Sequence, residues 1–373
     1  MKIKKIHIIG GGLAGLTAAL HLLKSGFKVT VFEKNSYPKH KVCGEYISNE
    51  VLPYLKSLDV DPMRWGAVII KKLQCSSING NILEAELPLG GFGLSRYIFD
   101  LELYKAVLAE GGEILQEQVE NIVFNGKSFK IETFSNKEFE AEIVMGAYGK
   151  RANLDVSLSR KFIRHKSPWM AVKSHYSGDF QADLVGLHNF KGGYCGISRV
   201  ENNAINVCYL ARLDSFQQYK DLDRYRKEVL RQNKYLDAFF EQAEPIFEKP
   251  LTISQISFDS KERVVNRVLM CGDSASLIHP LCGNGMAMAI VGARILSECV
   301  IFHLKHGTTR DQLEASYSRE WAKQFRSRLE WGRGLQKVLT NPTAANIGIA
   351  TMQHTPWLFQ QLIKKTHGKP SAA

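Results

Sequence analysis

Seven cysteines, at positions 43, 75, 195, 208, 271, 282 and 299, form no CxxC pair and no Cys/His spacing suited to zinc. That unclustered, odd set points away from a disulfide scaffold or zinc module and fits a reducing compartment. Internal repeats and low-complexity tracts are also missing, as is any zinc finger, aromatic RNA-binding strand or regular basic repeat, so no nucleic-acid partner is expected. Residues 338–363 carry no formal charge, but their Asn, Thr, Gln and Pro argue against a membrane span. Met1-Lys2-Ile3-Lys4-Lys5 resembles the charged start of a signal peptide. Three glycines break the apolar stretch that follows, so it is assigned to a strand and a cytoplasmic protein is expected.

What remains is an ordinary globular composition, 45% hydrophobic and 23% charged over 373 residues, enough for one large or two ordinary domains. The formal charge of +12 is uneven. Residues 301–373 hold 11 Lys and Arg against 4 Asp and Glu, a net of +7, which leaves +5 for the first 300. A basic carboxy-terminal region of this kind suits a solvated face, an anionic membrane surface or an anionic substrate.

Gly10-Gly11-Gly12-Leu13-Ala14-Gly15 lies between an apolar strand-like run (Ile6, Ile8, Ile9) and a helix-like run over 13–25, and Val29-Thr30-Val31-Phe32-Glu33 reads as the next strand. The geometry of a dinucleotide site asks for that arrangement. Gly10 permits the tight turn out of the strand, Gly12 lets the backbone approach a pyrophosphate, and Gly15 lets the helix pack on the sheet. The free N–H groups at the helix start, from Leu13 and Ala14 onward, and its positive dipole end face the phosphates. Glu33, followed by Lys34, ends the second strand, where its carboxylate can accept from both ribose hydroxyls of an adenosine.

A second segment, Val268-Leu269-Met270-Cys271-Gly272-Asp273, reads as a buried strand ending in Gly-Asp. After it come His279-Pro280-Leu281-Cys282-Gly283-Asn284-Gly285 and a long apolar helix. Asp273 should emerge at the carboxyl end of its strand, placed to hold a ribityl hydroxyl. Gly283-Asn284-Gly285 opens a helix whose N–H groups can face the pyrimidine edge of a flavin, where charge accumulates on reduction. Together the two segments ask for FAD. His279, at the expected flavin edge, is a candidate acid or base.

Between and after these segments the pattern is discontinuous. Residues 1–70, 96–158 and 256–304 are expected to build the FAD-binding domain, 71–95 and 159–255 an antiparallel substrate domain, and 305–373 a helical region. Within these, a hairpin is expected over Lys71–Leu87 around Asn79-Gly80, a helix over 97–110, and one polar helix near 214–241. Helices over 314–331, with Trp321, Phe325 and Leu329 on one stripe, and from Thr355 to Lys365 could pack on the flavin domain, form a lid, or lie on a membrane surface. His303 and His306 suit a helix carboxyl end better than a metal site.

The chain resembles the FAD-dependent oxidoreductases of the para-hydroxybenzoate hydroxylase superfamily, within it the geranylgeranyl reductase and related monooxygenase branch. The resemblance is carried by Gly10 to Gly15 with Glu33, Lys41-Val42-Cys43-Gly44, Arg96 with Phe99-Asp100, Ala147-Tyr148-Gly149, and Cys271-Gly272-Asp273 through Gly285. It implies an α/β fold: a Rossmann-like FAD-binding domain of the GR2 type, an inserted antiparallel β-sheet substrate domain and carboxy-terminal helices. It further implies that Arg96 lies near the FAD phosphates, that Val119 touches the adenine through its backbone, that Asp273 binds the ribityl-pyrophosphate region, and that Lys41 to Gly44 lines the flavin. Cys43 is on that ground a second catalytic candidate, though an isolated cysteine also suits a small buried hydrophobe. Three departures stand out. Tyr148 occupies the place of an Asp in the hydroxylases, Tyr194 to Arg199 replaces an aromatic strand ending in Phe-Pro, and the Trp-x-Trp-x-Ile-Pro signature of flavin halogenases is missing.

No second GxGxxG stands between a strand and a helix, so NAD(P)H is expected as a transient electron donor, unless a partner supplies electrons. The first expectation is a monooxygenase that hydroxylates a small hydrophobic organic molecule, aromatic or polyketide-like. The alternatives are a geranylgeranyl-reductase-like enzyme reducing double bonds of a prenyl or lipid substrate, and a flavin redox sensor without turnover. A cytoplasmic protein with peripheral membrane contact through its basic carboxy-terminal helices is expected.

Overall fold

All four residues of the first strand, Ile6–Ile9, are buried, as expected of a strand covered on both faces of a parallel sheet. A computed structural model of the protein, describing residues 4–278, 284–339, 342–366 and 368, places this strand between Val29–Phe32 and Ile143–Gly146, parallel to both. The sheet has six strands. Glu113–Leu115 extends it beyond Val29–Phe32, and Val268–Met270 and Val264–Val265 extend it beyond Ile143–Gly146. The helix Leu13–Lys24 packs on this sheet and is itself covered by Arg96–Ala109 and Gly285–His306. By length and composition Gly285–His306 could cross a membrane, but it is mostly buried here and serves as the core helix of the domain.

The second sheet has nine strands and is mainly antiparallel; its strands are Tyr46–Ser48, Val68–Ser76, Ile82–Gly93 and six from Trp169–Ser177 to Leu251–Ser254. Strand residues alternate between faces. Along Trp169–Ser177, Met170 and Val172 join an apolar cluster with Tyr225, Leu236 and Phe239 from the helices behind the sheet. Ala171, Lys173 and His175 point the other way, toward the first domain. A small three-stranded sheet over Val119–Phe124, Phe129–Thr133 and Glu138–Ala141 completes the strands.

Several boundaries differ from the expectations. The single polar helix near 214–241 is three helices: Leu213–Gln217, Leu222–Glu228 and Lys234–Gln242. Asp221 accepts from the Arg224 amide and Asn233 from those of Tyr235 and Leu236, so each restarts a helix as a side-chain cap. The hairpin strands run longer, Val68–Ser76 and Ile82–Gly93. The helix over 314–331 is part of a 30-residue helix, Arg310–Leu339, and within the expected helical region a further helix, Pro342–His354, follows it before Pro356–Thr366.

His188, in the strand Leu184–Phe190, is buried against Ser76, whose hydroxyl lies 2.9 Å from its Nδ1. Burial lowers its pKa from 6.5 to about 4. Folding therefore depends on a neutral imidazole: the stability it contributes is complete above pH 6.5 and is lost as pH falls toward 4. Urea denaturation should show about 3 kcal/mol of this loss for His188 alone. His188→Gln should remove that part of the slope between pH 7 and 4, and a slope equal to that of the unmodified protein would refute the assignment.

Candidate flavin site and the cavity behind it

The glycine turn is built as the spacing requires. Gly10 sits at φ +109°, and a Cβ there would lie 2.4 Å from the Ala147 carbonyl oxygen. A Cβ on Gly15 would lie 2.0 Å from the Gly10 carbonyl oxygen, so Gly15 serves helix packing rather than lining the cavity. Gly12 differs: a Cβ there would meet only Arg96 Nη2 at 3.4 Å and Lys41 Nζ at 3.6 Å. The start of Leu13–Lys24, without an acidic residue in its first turn or a side-chain cap, thus opens onto a space faced by two cations.

Both cations lean on one buried carboxylate. Arg96 donates through Nε and Nη2 to Asp100, each at 2.7 Å, and Lys41 Nζ lies 3.0 Å from the same carboxylate. Burial opposes ionisation of Asp100, but Arg96 and Lys41 together hold its carboxyl below the usual range. Two cations against one anion leave a net positive charge beside the helix start, which suits a pyrophosphate. Glu33 is oriented by three donors: the Gly11 amide at 2.9 Å, the Asn35 amide at 3.0 Å and Asn35 Nδ2 at 2.7 Å. A carboxylate offers about four acceptor positions. One therefore remains for a ribose hydroxyl, and a second hydroxyl would have to displace an Asn35 donor.

The two distant segments meet through Gly272. Its φ of +59° turns the chain after Val268–Met270, and a Cβ there would lie 2.8 Å from Ala14 Cβ. The turn is held from behind: the buried Lys261 donates to the carbonyls of Asp273 and Lys150, both at 2.8 Å. Burial lowers the pKa of this ammonium to about 8. Ser274 Oγ accepts from the Gly149 amide at 2.9 Å. Tyr148 donates to Asp155 at 3.1 Å, and Asp155 is paired with the buried Arg160 at 3.0 Å, so the tyrosine in the place of an Asp is fixed by a buried polar set.

One cavity of about 960 Å³ is lined by residues of both segments. Gly10, Gly12, Leu13, Ala14, Glu33 and Lys34 line one part of it. Cys43, Arg96, Val119, Asp273, Asn284 and Gly285 line it as well. His279 and Gly283 lie outside the described residues. Beyond the Cys43 and Asp273 segments the cavity continues into a chamber walled by Leu73, Leu83, Leu87 and Val185 of the second sheet and by Ile349, Met352, Phe359 and Ile363 of the last two helices.

A group not foreseen from the sequence stands at the junction. Glu45, fully buried and at φ +54°, accepts from Lys173 Nζ at 2.5 Å, His175 Nε2 at 2.8 Å and the Arg96 amide at 2.7 Å. Burial raises its pKa, yet the Lys173 charge and the His175 contact outweigh that and keep it below the usual range. Asn206 Nδ2 donates to the carbonyls of Gly44, at 2.8 Å, and Cys43, at 3.3 Å. The Lys41–Glu45 segment is thereby fastened to both domains. The available signal was a lysine and a histidine at alternate positions of an apolar strand, which in a buried sheet demand a counter-charge.

The cavity fits an extended flavin dinucleotide on three observations: the open face of Gly12 beside two cations, Glu33 with an acceptor position left, and the Gly272-Asp273 turn against Ala14. Residues 8–39 match the family model of an NAD(P)-binding Rossmann-like domain. The chain is 25% identical to the digeranylgeranylglycerophospholipid reductase of Methanosarcina acetivorans over 339 residues, covering 86% of this chain and 80% of that protein. Among solved structures it resembles the flavin-dependent brominase Bmp2, with a TM-score of 0.79 at 16% identity over 97% of this chain and 93% of that one. It also resembles PqsL, a probable FAD-dependent monooxygenase from Pseudomonas aeruginosa, with a TM-score of 0.72 at 14% identity over 93% and 99% of the two chains.

Proposed function

We propose that this chain, an FAD-dependent oxidoreductase of the superfamily it resembles in sequence and fold, reduces carbon–carbon double bonds in the long apolar chain of a lipid, with NAD(P)H as the transient electron donor. The observation that carries the reading is the chamber behind the flavin site. Its walls at Leu73, Leu83, Leu87, Val185, Ile349 and Phe359 offer no charged group, and such a lining rewards an extended hydrocarbon rather than a small polar ring. Similarity over most of the chain to digeranylgeranylglycerophospholipid reductases supports the same choice.

Bound FAD would supply the two-electron chemistry. The rest falls to the chain. The amides at the start of Leu13–Lys24, with Arg96 and Lys41, would hold the pyrophosphate; Glu33 would orient the adenosine, and the Asp273 turn the ribityl chain. Glu45 keeps the Cys43 segment in place, and the apolar walls exclude water from the double bond. Each double bond takes one hydride and one proton, so the product gains two mass units and NAD(P)H becomes NAD(P)+.

Hydroxylation, the first expectation from the sequence, is the second reading, supported by the fold likeness to PqsL and by the same pocket beside Cys43. The two separate cleanly. Purified protein, NAD(P)H and a geranylgeranyl lipid are incubated with and without oxygen and analysed by mass spectrometry. Saturated product in equal yield without oxygen is expected; product that needs oxygen and carries one added oxygen atom overturns the reductase reading.

A further inference from the structure

We propose that the last two helices, Pro342–His354 and Pro356–Thr366, seat the protein on an anionic bilayer surface, the inner face closing the cavity and the outer face lying among lipid headgroups. The purpose of this contact rests on the lipid-substrate reading; its evidence does not. Ala345, Ile349, Phe359 and Ile363 are buried, which accounts for one face of each helix. A helix that served only as a lid would be polar on the other side. Here exposed apolar residues stand among the exposed polar ones (Thr351, Gln353, Gln361): Ile347 is 60% exposed, Trp357 67% and Leu358 39%. Trp357 and Lys364 are seven residues apart and so share one face, opposite Phe359 and Ile363. A tryptophan on the outer face with an exposed lysine two turns on is the composition of an interfacial helix, whose aromatic ring sits at headgroup depth.

Charge selects the occupant. The helix Arg310–Leu339 packs against both terminal helices and exposes Lys323, Arg326 and Arg333, none of which has an ion-pair partner among the described residues. Residues 301–373 carry a net +7. A second copy of the chain would bring the same charge to this face and be repelled, whereas phosphatidylglycerol or phosphatidylserine headgroups complement it. Seated this way, the chamber wall formed by Ile349, Phe359 and Ile363 lies one helix thickness from the bilayer, a short path for a lipid tail.

The test uses the full FAD-loaded chain and no substrate, so it stands apart from the reduction assay. The protein is sedimented with vesicles of phosphatidylcholine alone or mixed with phosphatidylglycerol, at low and high salt. Binding to the anionic vesicles, weakened by salt, is expected. The partition coefficient should fall roughly tenfold for Ile347→Ser/Trp357→Ser and about fivefold for Lys364→Gln, with the melting temperature unchanged. Equal binding to both vesicle types, variants that partition like the unmodified protein, or no binding at all overturns the proposal. If vesicle binding fails while a detergent-dispersed lipid is still reduced, only the docking surface falls.

Discussion

A Gly12→Glu variant is expected to purify folded and colourless. The new Cβ meets nothing closer than Arg96 Nη2 at 3.4 Å, an ordinary contact, so the backbone has no reason to shift. Its carboxylate, however, would point at Arg96 and Lys41 and occupy the donors that the pyrophosphate needs. Losing two or three charge-assisted hydrogen bonds, each worth about 1.5–3 kcal/mol, weakens FAD binding by roughly a hundredfold or more. Calorimetric titration with FAD and a melting curve check the two halves separately. Gly15→Val is the contrasting control: its Cβ would fall 2.0 Å from the Gly10 carbonyl, and that variant should fail to fold. A yellow Gly12→Glu protein with unaltered affinity would place the cofactor elsewhere.

Glu45→Leu should destabilise the fold by about 3–5 kcal/mol, because it strands the Lys173 ammonium in a fully buried position and removes the acceptor of His175. Glu45→Leu/Lys173→Met should recover most of that loss, since a buried pair replaced by apolar groups of similar size is near neutral. Urea unfolding at neutral pH measures both. If the double variant is as unstable as the single one, the network does not act through charge pairing. The flavin site should respond too: Glu45 accepts from the Arg96 amide, so its loss loosens the segment carrying Lys41 and Cys43 and lowers FAD affinity in both variants.

Among the site residues, legibility followed locality. Gly10, Gly12, Gly15 and Glu33 could be read because a strand, a tight turn and a helix start are decided within a few residues, and glycine is the response where a side chain has no room, as at Gly15, where a Cβ would fall 2.0 Å from the Gly10 carbonyl oxygen. The polar helix near 214–241 was misread because its apolar spacing is continuous while Asp221 and Asn233 interrupt it locally as caps. Lys173 and His175 are visible as oddities in an apolar strand, but their partner Glu45 lies 128 residues away from Lys173.

The chain's order of residues, taken alone, determined the dinucleotide turn, the second Gly-Asp segment and the basic carboxy-terminal balance, since each is a property of neighbours along the backbone or of simple counts. Only the tertiary structure decided that Gly272 packs on Ala14, that Arg96 and Lys41 share Asp100, that Glu45 bolts the domains together, and that the last helices wall an apolar chamber while exposing Trp357. These are contacts between residues far apart in sequence, set by how two sheets and a helical hairpin pack, and spacing along a single chain carries no measure of that distance.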